Sequence, residues 1–415
     1  MKNSEMLMYD NYLTDNNALC SYIEQLSDNI DMLSTMDEWK LLQLFENMFD
    51  IFMIKQNRNY FPRSDEIIHA IIAVLHPAST PYISDILCKR INKNTRFEKE
   101  YCYKAFKMLI ETNPNQIKIC MPKLISIISS DVNDINTNVK KNASETLELL
   151  LHCSGNNDLH NFIPIVLKGL KDYSSIYDAV ESLASCVFVQ NVEAPALAIT
   201  TPILLRGLND KKTITKRLTC VIIDNMCKLI EHPKEILPFY AQLKMKLEFC
   251  TETMSDPEAR KVSERALNTL KSACSIDENS KFIKTVEEMT LLLENELATH
   301  SISITNRNAY KFMVILVTNM CNGQFFELEE WRKVFEKYIP NEPNVKTVAE
   351  TILKVTMESF TVKEEHFEDT EEGKDLYKGT FSLAYGALTL LNNTHLHLKQ
   401  NRFYGLLGPN NCGKT

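Results

Sequence analysis

The sequence repeats a pattern of about 40 residues, in which a proline-led apolar stretch is followed by a polar turn and a second apolar stretch. The leading prolines are Pro122, Pro164, Pro202 and Pro238. Their spacing is close to the period of HEAT and armadillo helical repeats. Because proline is tolerated in the first turn of a helix, each of the four predicts a helix start.

Each proline-led helix is followed by a second helix with its own apolar stripe. The second helices begin near Val139, Tyr177, Ile214 and Ala259. One such pair cannot bury both of its apolar faces, so the pairs are expected to stack into an α-solenoid. Four less regular helices precede Pro122 and are interpreted as degenerate or capping repeats: 37–55, 64–75, 82–91 and 97–111.

The pattern changes after Asp277. Four helices without leading prolines follow, at 280–300, 305–320, 327–338 and 344–360, and they predict a four-helix bundle. Residues 363–375 are acidic and nearly free of apolar side chains, which is typical of a linker. The region after it predicts an antiparallel sheet: a strand, a Gly turn, a second strand, a turn at Asn392–Asn393, an alternating strand and a buried strand, Phe403–Leu407.

The predicted fold class is mainly α: a HEAT-repeat solenoid, a four-helix bundle and the truncated, β-rich start of an ATP-binding domain. The predicted domains are residues 1–120, 121–276, 277–362, 363–376 and 377–415.

Charge and composition narrow the classes of partner. With 46 basic and 54 acidic residues the net charge is −8, so no global positive field attracts nucleic acid or an anionic membrane, and any RNA contact must be local. Neither a signal sequence nor an apolar run of membrane-spanning length is present, which predicts a soluble, cytoplasmic protein without membrane or DNA partners.

The 12 cysteines form no C-x-x-C pair, and we expect free thiols rather than a zinc site.

The end of the sequence carries a phosphate-binding motif. The pattern G-x-x-x-x-G-K-[ST] directly follows an apolar stretch, which is the context that a P-loop requires. Its residues are Gly408, Pro409, Asn410, Asn411, Cys412, Gly413, Lys414 and Thr415. In a P-loop the backbone N–H groups surround the phosphates, the lysine reaches them and the Thr hydroxyl binds Mg²⁺, so the motif predicts ATP and Mg²⁺ as ligands. A chance match is the alternative.

Two further positions in the strand region have a functional and a plain interpretation. Tyr385 lies upstream of Lys414 in the antiparallel part, where cassette ATPases place a ring that stacks on adenine, or it is simply an apolar sheet residue. His395 and His397 share one strand face and have a spacing that can bind a metal. Because no third ligand is apparent nearby, a polar strand face is the favoured interpretation.

Two groups of basic residues stand out in this acidic chain. The N-terminal basic cluster comprises Lys89, Arg90, Lys93, Arg96, Lys99 and Lys104, and the 211–217 basic cluster comprises Lys211, Lys212, Lys216 and Arg217. The second lies at the turn between two repeat helices. Either cluster could contact phosphates of ribosomal RNA or form a merely solvated helix face, and the 211–217 basic cluster is the better candidate.

Two stretches carry a resemblance to a known family. TPILLRGLNDKKTITKRLTCVIIDNMCKLIEHPKEILPF with SDPEARKVSERALNTL, and FSLAYGALTLLNNTHLHLKQNRFYGLLGPNNCGKT, resemble the HEAT region and the first ATP-binding cassette of the fungal translation elongation factor 3 family. The resemblance is good over 162–415 and weaker before.

The resemblance implies a soluble ATPase that contacts both ribosomal subunits through its HEAT domain and promotes release of the exit-site tRNA. Ribosomal RNA, ribosomal proteins and other translation factors are the implied partners. By the same resemblance Tyr385 stacks on adenine, 408–413 surround phosphate, Lys414 neutralises it and Thr415 binds Mg²⁺.

Compared with that family, the sequence stops at Thr415, before the Walker B carboxylate, the catalytic Glu, the signature loop, the switch His and the second cassette. The expectation is therefore a truncated homologue that acts as a ribosome-binding scaffold, with no assigned catalytic residue, weak or no ATP binding and lost hydrolysis. A HEAT adaptor without a role in translation, or an inactive fragment of a split gene, is the alternative.

Overall fold

The computed structural model describes residues 28, 30–52, 61–92, 96–188, 191–274, 284–340, 342–360, 374–385 and 388–405. The protein is mainly helical, as predicted. The first helices are α1 (Glu38–Phe52), α2 (Phe61–Val74), α3 (Thr80–Ile91), α4 (Arg96–Thr112), α5 (Ile117–Asp131), α6 (Thr137–His152), α7 (Asn157–His160), α8 (Ile163–Lys171) and α9 (Ile176–Ala184). They are followed by α10 (Ala194–Leu208), α11 (Thr213–Lys228), α12 (Pro233–Thr253), α13 (Pro257–Ala273), α14 (Val286–Thr299), α15 (Arg307–Asn322), α16 (Leu328–Tyr338) and α17 (Val345–Phe360). The strands are β1 (Val187–Phe188), β2 (Asp375–Tyr385) and β3 (Leu388–Lys399).

The chain divides into two compact units. One contains the described residues within 121–133, 150–280 and 362–415, and at its centre lie three helical pairs: α8 with α9, α10 with α11, and α12 with α13. The first helices of the pairs pack side by side in one layer and the second helices in another. Residues such as Cys220, Ile223 and Cys227 of α11 are buried between the layers. The stacked pairs predicted from the sequence are confirmed.

Two glycines in the first helices of consecutive pairs allow this close packing. Gly169 of α8 and Gly207 of α10 are both buried. A Cβ atom at Gly169 would lie 3.0 Å from Ile203 of the next pair, and one at Gly207 would meet the side chain of Thr219 on α11. A larger residue at either position would therefore push the neighbouring helix away.

The prolines mark the repeats, but only one of the four begins a helix. Pro164 is the second residue of α8, as predicted. Pro122, Pro202 and Pro238 lie inside α5, α10 and α12, so the prediction of a helix start at these three was wrong. The helices extend upstream because each Pro costs only one i→i−4 hydrogen bond, and the apolar stripe continues on its N-terminal side.

The other unit contains the described residues within 1–120, 134–149 and 281–361. Helices α14 to α17 match the four helices predicted between 280 and 360, and they pack on one another. Helix α15 also packs on α1, and the Asn319 amide donates to the carbonyl of Ala78 at 2.8 Å. The carboxylate of Glu38, only 3% exposed, accepts hydrogen bonds from Lys337 and Tyr338. Helices α14 to α17 thus pack with the N-terminal helices in the same unit. The domain boundaries predicted from the sequence remain a prediction.

The strands form an antiparallel sheet in which β2 lies between β1 and β3. The β2–β3 pairing confirms the predicted antiparallel strands, with partners such as Thr380 and His395. The turn predicted at Asn392–Asn393 was wrong, because β3 runs unbroken through both residues and pairs with β2 on either side of them. The further strand predicted at 403–407 was wrong in its described part: 402–405 have no regular structure and Phe403 is fully exposed. No described strand pairs with this segment, so its backbone groups and apolar side chains lack the neighbours that would bury them.

Within the described residues no single helix is long and apolar enough to cross a membrane. One bent pair, Asp65–Val74 with Pro77–Ile91, meets that test on length and composition alone.

Candidate nucleic-acid interface

The 211–217 basic cluster lies where α10 turns into α11. Lys211 and Lys212 follow the end of α10, and Lys216 and Arg217 stand in the first turns of α11. The Asp210 carboxylate accepts a hydrogen bond from the backbone N–H of Lys211 at 2.7 Å, which fixes the turn. Lys211, Lys212 and Arg217 are exposed and Lys216 is half-buried. All four predicted residues therefore lie at or next to this turn.

Aromatic and acidic neighbours complete this surface. The Lys212 ammonium lies 5.3 Å from the ring centre of Tyr177, the second residue of α9. Tyr173, just before α9, is 54% exposed. Arg217 forms an ion pair of 3.4 Å with Glu258 of α13, and both side chains are largely exposed, so solvent weakens it. Cations interleaved with tyrosine rings are typical of surfaces that bind single-stranded nucleic acid.

The cluster stands at the positive end of the helix dipole of α11, where cations are unfavourable. Lys212 is the N-cap residue and its side chain makes no capping hydrogen bond. Helices α8, α9, α10 and α12 also lack a side-chain cap, whereas the N-cap residues of α13 and α14, Asp256 and Thr285, accept backbone N–H groups at 3.0 and 3.1 Å. Positive side chains together with an uncapped helix start favour an anion at this position.

The turns of the neighbouring repeats lack the pair of lysines found at Lys211 and Lys212. The turn from α8 to α9 contains Tyr173 and Ser174, and the turn from α12 to α13 contains Ser255 and Asp256. Neither turn contains a basic side chain, so Lys211 and Lys212 are not needed to form such a turn. The two lysines in the turn are specific to this repeat, whereas α13 also has two cations near its start, Arg260 and Lys261.

The N-terminal basic cluster is arranged differently, because most of its cations are paired with carboxylates. Four of its members form ion pairs with carboxylates: Arg90 with Glu98 at 3.6 Å, Arg96 with Glu100 at 2.9 Å, Lys99 with Asp134 at 3.2 Å and Lys104 with Asp65 at 2.9 Å. Arg90 and Lys99 are also mostly buried, with 13% and 12% of their side chains exposed. Lys89 is exposed, and Lys93 lies outside the described residues. This cluster serves packing rather than an open basic surface.

The predicted nucleotide site is described only in part. Tyr385 is the last residue of β2, where its backbone pairs with Val187 and Leu388; its side chain and the motif residues 408–415 lie outside the described residues. The His397 ring nitrogen lies 2.7 Å from a carboxylate oxygen of Asp375, across the hairpin. Among the described residues no group of three potential ligands could hold a metal ion.

The described cysteines are free thiols, and most are buried. Burial raises the pKa of the Cys186 and Cys220 thiols to about 12, so both stay protonated at neutral pH. They behave as small apolar core residues.

Sequence reasoning missed a charged network at the other end of α11. Asp224 is fully buried, and its carboxylate contacts the Lys228 ammonium at 2.9 Å, the Arg265 guanidinium at 3.0 Å and the Thr269 hydroxyl at 2.6 Å. The i,i+4 spacing of Asp224 and Lys228 was the one local signal for it. The partners on α13 are remote in the sequence, with the whole of α12 in between, and no sequence pattern connects them to Asp224.

Comparison with known proteins supplies the family. Residues 38–147 match the family model described as EF3 N-terminal HEAT repeat, and residues 174–281 match the model described as Elongation factor 3/GNC1 HEAT repeat. Elongation factor 3 of Mycosarcoma maydis is 31% identical over 361 residues, which cover 84% of this chain. The chain belongs to the elongation factor 3 family.

Two other elongation factor 3 proteins show a similar level of identity to this chain. Elongation factor 3 of Candida albicans is 31% identical over 369 residues, or 87% of this chain, and elongation factor 3A of Saccharomyces cerevisiae is 30% identical over 357 residues, or 84%. The chain spans about a third of these relatives: 34% of the Mycosarcoma, 35% of the Candida and 34% of the Saccharomyces protein. The family match at 38–147 extends the HEAT assignment into the region where the sequence pattern was irregular.

Proposed function

We propose that this chain is the HEAT scaffold of an elongation factor 3 type protein, and that it binds the ribosome through ribosomal RNA contacted by the 211–217 basic cluster. The observation that carries the proposal is the placement of four cations and two tyrosines around an uncapped helix start. Such a surface costs stability in the isolated protein, and an RNA phosphate would offset that cost. The family membership supplies the ribosome as the partner.

The proposed contact is local, because the chain as a whole is acidic. Its net charge of −8 would repel RNA at long range, whereas Lys211, Lys212 and Arg217 are exposed at one turn. Tyr173 and Tyr177 offer rings on which unpaired bases could stack. Single-stranded loops of ribosomal RNA fit this chemistry better than regular duplex.

We also propose roles for the four helices α14 to α17 and for the C-terminal phosphate-binding motif. Helices α14 to α17 are proposed to act as a four-helix bundle that connects the HEAT repeats to the start of an ATP-binding cassette. Residues 408–415 are proposed to bind the phosphates of ATP, Thr415 to bind Mg²⁺ and Tyr385 to stack on adenine. Exit-site tRNA release powered by ATP is the family activity to which this scaffold would contribute.

Cosedimentation with ribosomes over a range of salt concentrations tests the scaffold proposal. The affinity should fall steeply with salt, by a slope of about 0.7 for each phosphate contact on single-stranded nucleic acid. Reversal of Lys212, Lys216 and Arg217 to Glu should weaken binding by about two orders of magnitude and flatten the slope. A folded reversal variant with unchanged affinity and slope would remove the cluster from the interface.

The nucleotide proposal has its own test. Binding of a fluorescent ATP analogue is measured for the 415-residue chain and for Lys414→Ala, with Lys378→Ala as the control for loss of an exposed lysine on β2. Weaker binding in Lys414→Ala alone supports the P-loop. Equal binding by all three proteins contradicts it, whereas no binding by any agrees with the weak or absent binding expected for this chain.

A further inference from the structure

A polar groove lies along the C-terminal end of α11, away from the 211–217 basic cluster. It has a volume of about 660 Å³ and is formed by the end of α11 and one face of α13. This α11–α13 groove is lined chiefly by Lys228, Lys261, Glu264, Arg265, Asn268 and Ser272. None of these side chains takes part in the proposed contacts with RNA or ATP.

Asp224 holds part of the groove wall in place. A buried carboxylate is costly unless it is fully paired, and Asp224 is fully buried. Its oxygens contact the Lys228 ammonium at 2.9 Å, Nε of Arg265 at 3.0 Å and the Thr269 hydroxyl at 2.6 Å. Because losing any of these contacts would leave a buried charge less compensated, the two cations are fixed in position.

This arrangement positions the Arg265 guanidinium to bind an anion. Its Nε lies 3.0 Å from the Asp224 carboxylate, 51% of the side chain is exposed, and neither terminal nitrogen makes a hydrogen bond to a described residue. Because the ion pair with Asp224 already restricts this guanidinium, its two terminal nitrogens can donate to an anion with little further loss of side-chain entropy. Lys261 stands one turn earlier on the same helix, a like-charge spacing that costs stability by itself.

The chemistry of the groove favours a carboxylate ligand over a nucleic acid. The charges of Lys228, Lys261 and Arg265, less those of Asp224 and Glu264, leave +1, which matches one anionic group. Among the described residues no aromatic side chain lines the groove, so an RNA base would have no ring to stack on, in contrast to Tyr177 beside Lys212. Glu264 repels a polyphosphate backbone but accepts hydrogen bonds from peptide N–H groups.

We propose that the α11–α13 groove binds an acidic segment of a partner protein. One carboxylate of the segment lies on the Arg265 fork and against Lys261, and Glu264 and Asn268 pair with its backbone. This site is separate from the proposed RNA contact, since Lys212 precedes the first residue of α11 and Lys228 is its last, so that they lie about 24 Å apart along the helix axis. The two proposals can therefore fail independently.

Fluorescence anisotropy of a labelled oligo-glutamate peptide, titrated with the 415-residue chain, tests the proposal, with an oligo-glutamine peptide as the reference probe. Arg265→Gln should weaken binding about tenfold, and Arg265→Lys should not restore it, because Lys lacks the fork. Lys261→Gln leaves the Asp224 contacts intact and should weaken binding about threefold. Arg260→Gln, an exposed cation of α13 that does not line the groove, should bind like the wild type.

Circular dichroism establishes that each variant is folded. If Arg265→Gln does not fold, Lys261→Gln decides the outcome. The proposal is overturned if the glutamate peptide does not bind better than the glutamine peptide, or if Lys261→Gln binds like Arg260→Gln. It is also overturned if a single-stranded RNA oligonucleotide binds tightly and loses affinity in Lys261→Gln, since the occupant would then be RNA.

Discussion

The N-terminal basic cluster and the 211–217 basic cluster look alike in the sequence and differ in the fold. In the first, Arg90, Lys99 and Lys104 reach carboxylates on other helices or turns. In the second, the one ion pair among the described residues is the exposed contact of Arg217 with Glu258. Charge density along a chain therefore does not reveal a binding surface until the tertiary partners of each cation are known.

The same comparison separates charges that stabilise from charges that cost stability. Arg90 is mostly enclosed, contacts Glu98 and lies 5.9 Å from the ring centre of Phe49. Lys216 stands in the first turn of α11, where the helix dipole opposes a positive charge. Substitutions in the two clusters should accordingly have opposite effects on folding.

The largest expected effect is on Arg90. Arg90→Ala removes the partner of Glu98, whose side chain is only 3% exposed, and should lower the free energy of unfolding by about 3 kcal/mol. Urea unfolding followed by circular dichroism measures this. Its neighbour Lys89 is exposed, and Lys89→Ala should change the stability by less than about 0.5 kcal/mol. Equal effects of the two substitutions would show that the N-terminal cluster is not structural.

An intermediate effect is expected on the pH dependence of stability, through the ion pair between Lys107 and Glu145. The hydrogen bond from Lys107 lowers the pKa of Glu145 below its ordinary value of 4.5, so this pair stabilises the fold above that pH and is lost as pH falls through the lowered pKa. Lys107→Met should therefore cost stability at pH 6, by less than about 1 kcal/mol since Glu145 is partly exposed, and the cost should shrink as the pH falls through the lowered pKa.

Lys211→Met is the matched control for this pH series. Lys211 has no ion pair among the described residues, so the difference from the wild type should not change between pH 6 and pH 3. Urea unfolding at both pH values measures the two variants. A Lys107→Met deficit that persists unchanged at pH 3 would rule out the ion pair as its cause.

The smallest expected effect is a gain in stability when the charge of Lys216 is reversed. Lys216→Glu places a negative charge in the first turn of α11 and should raise the free energy of unfolding by about 0.5 kcal/mol. Lys271 lies in the last turn of α13, where a cation is favourable, so Lys271→Glu should lower the stability by a similar amount. Thermal unfolding compares the two. A loss of stability in Lys216→Glu would mean that Lys216 is structural.

Local patterns predicted much of the fold because helical periodicity is a local property. The helix predicted at 327–338 is observed at Leu328–Tyr338, and the acidic and apolar spacing that predicted it lies entirely within it. The proline rule failed at Pro122, because a helix tolerates one missing hydrogen bond when the flanking turns are apolar. Phe403 was misplaced because burial of a strand depends on neighbours that its own sequence does not contain.

The candidate sites were predictable only in part for the same reason. The basic residues at 211–217 are contiguous enough to be seen in the sequence, but their exposure is not. The pairing of Lys104 with Asp65, and of Asp224 with Arg265, joins residues on separate helices that only the packing brings together. Sequence thus identified the cation groups, and the structure was needed to tell which group is neutralised.

Ribosome cosedimentation of two matched triple variants tests the central claim most directly. One variant replaces the exposed cations of the second cluster, Lys211, Lys212 and Arg217, with Gln, and the other replaces Lys89, Arg96 and Lys104 of the first. The first should bind about tenfold more weakly, with a salt slope reduced by about 2, and the second should bind like the wild type. Equal loss in both variants, or loss only in the second, would contradict the account.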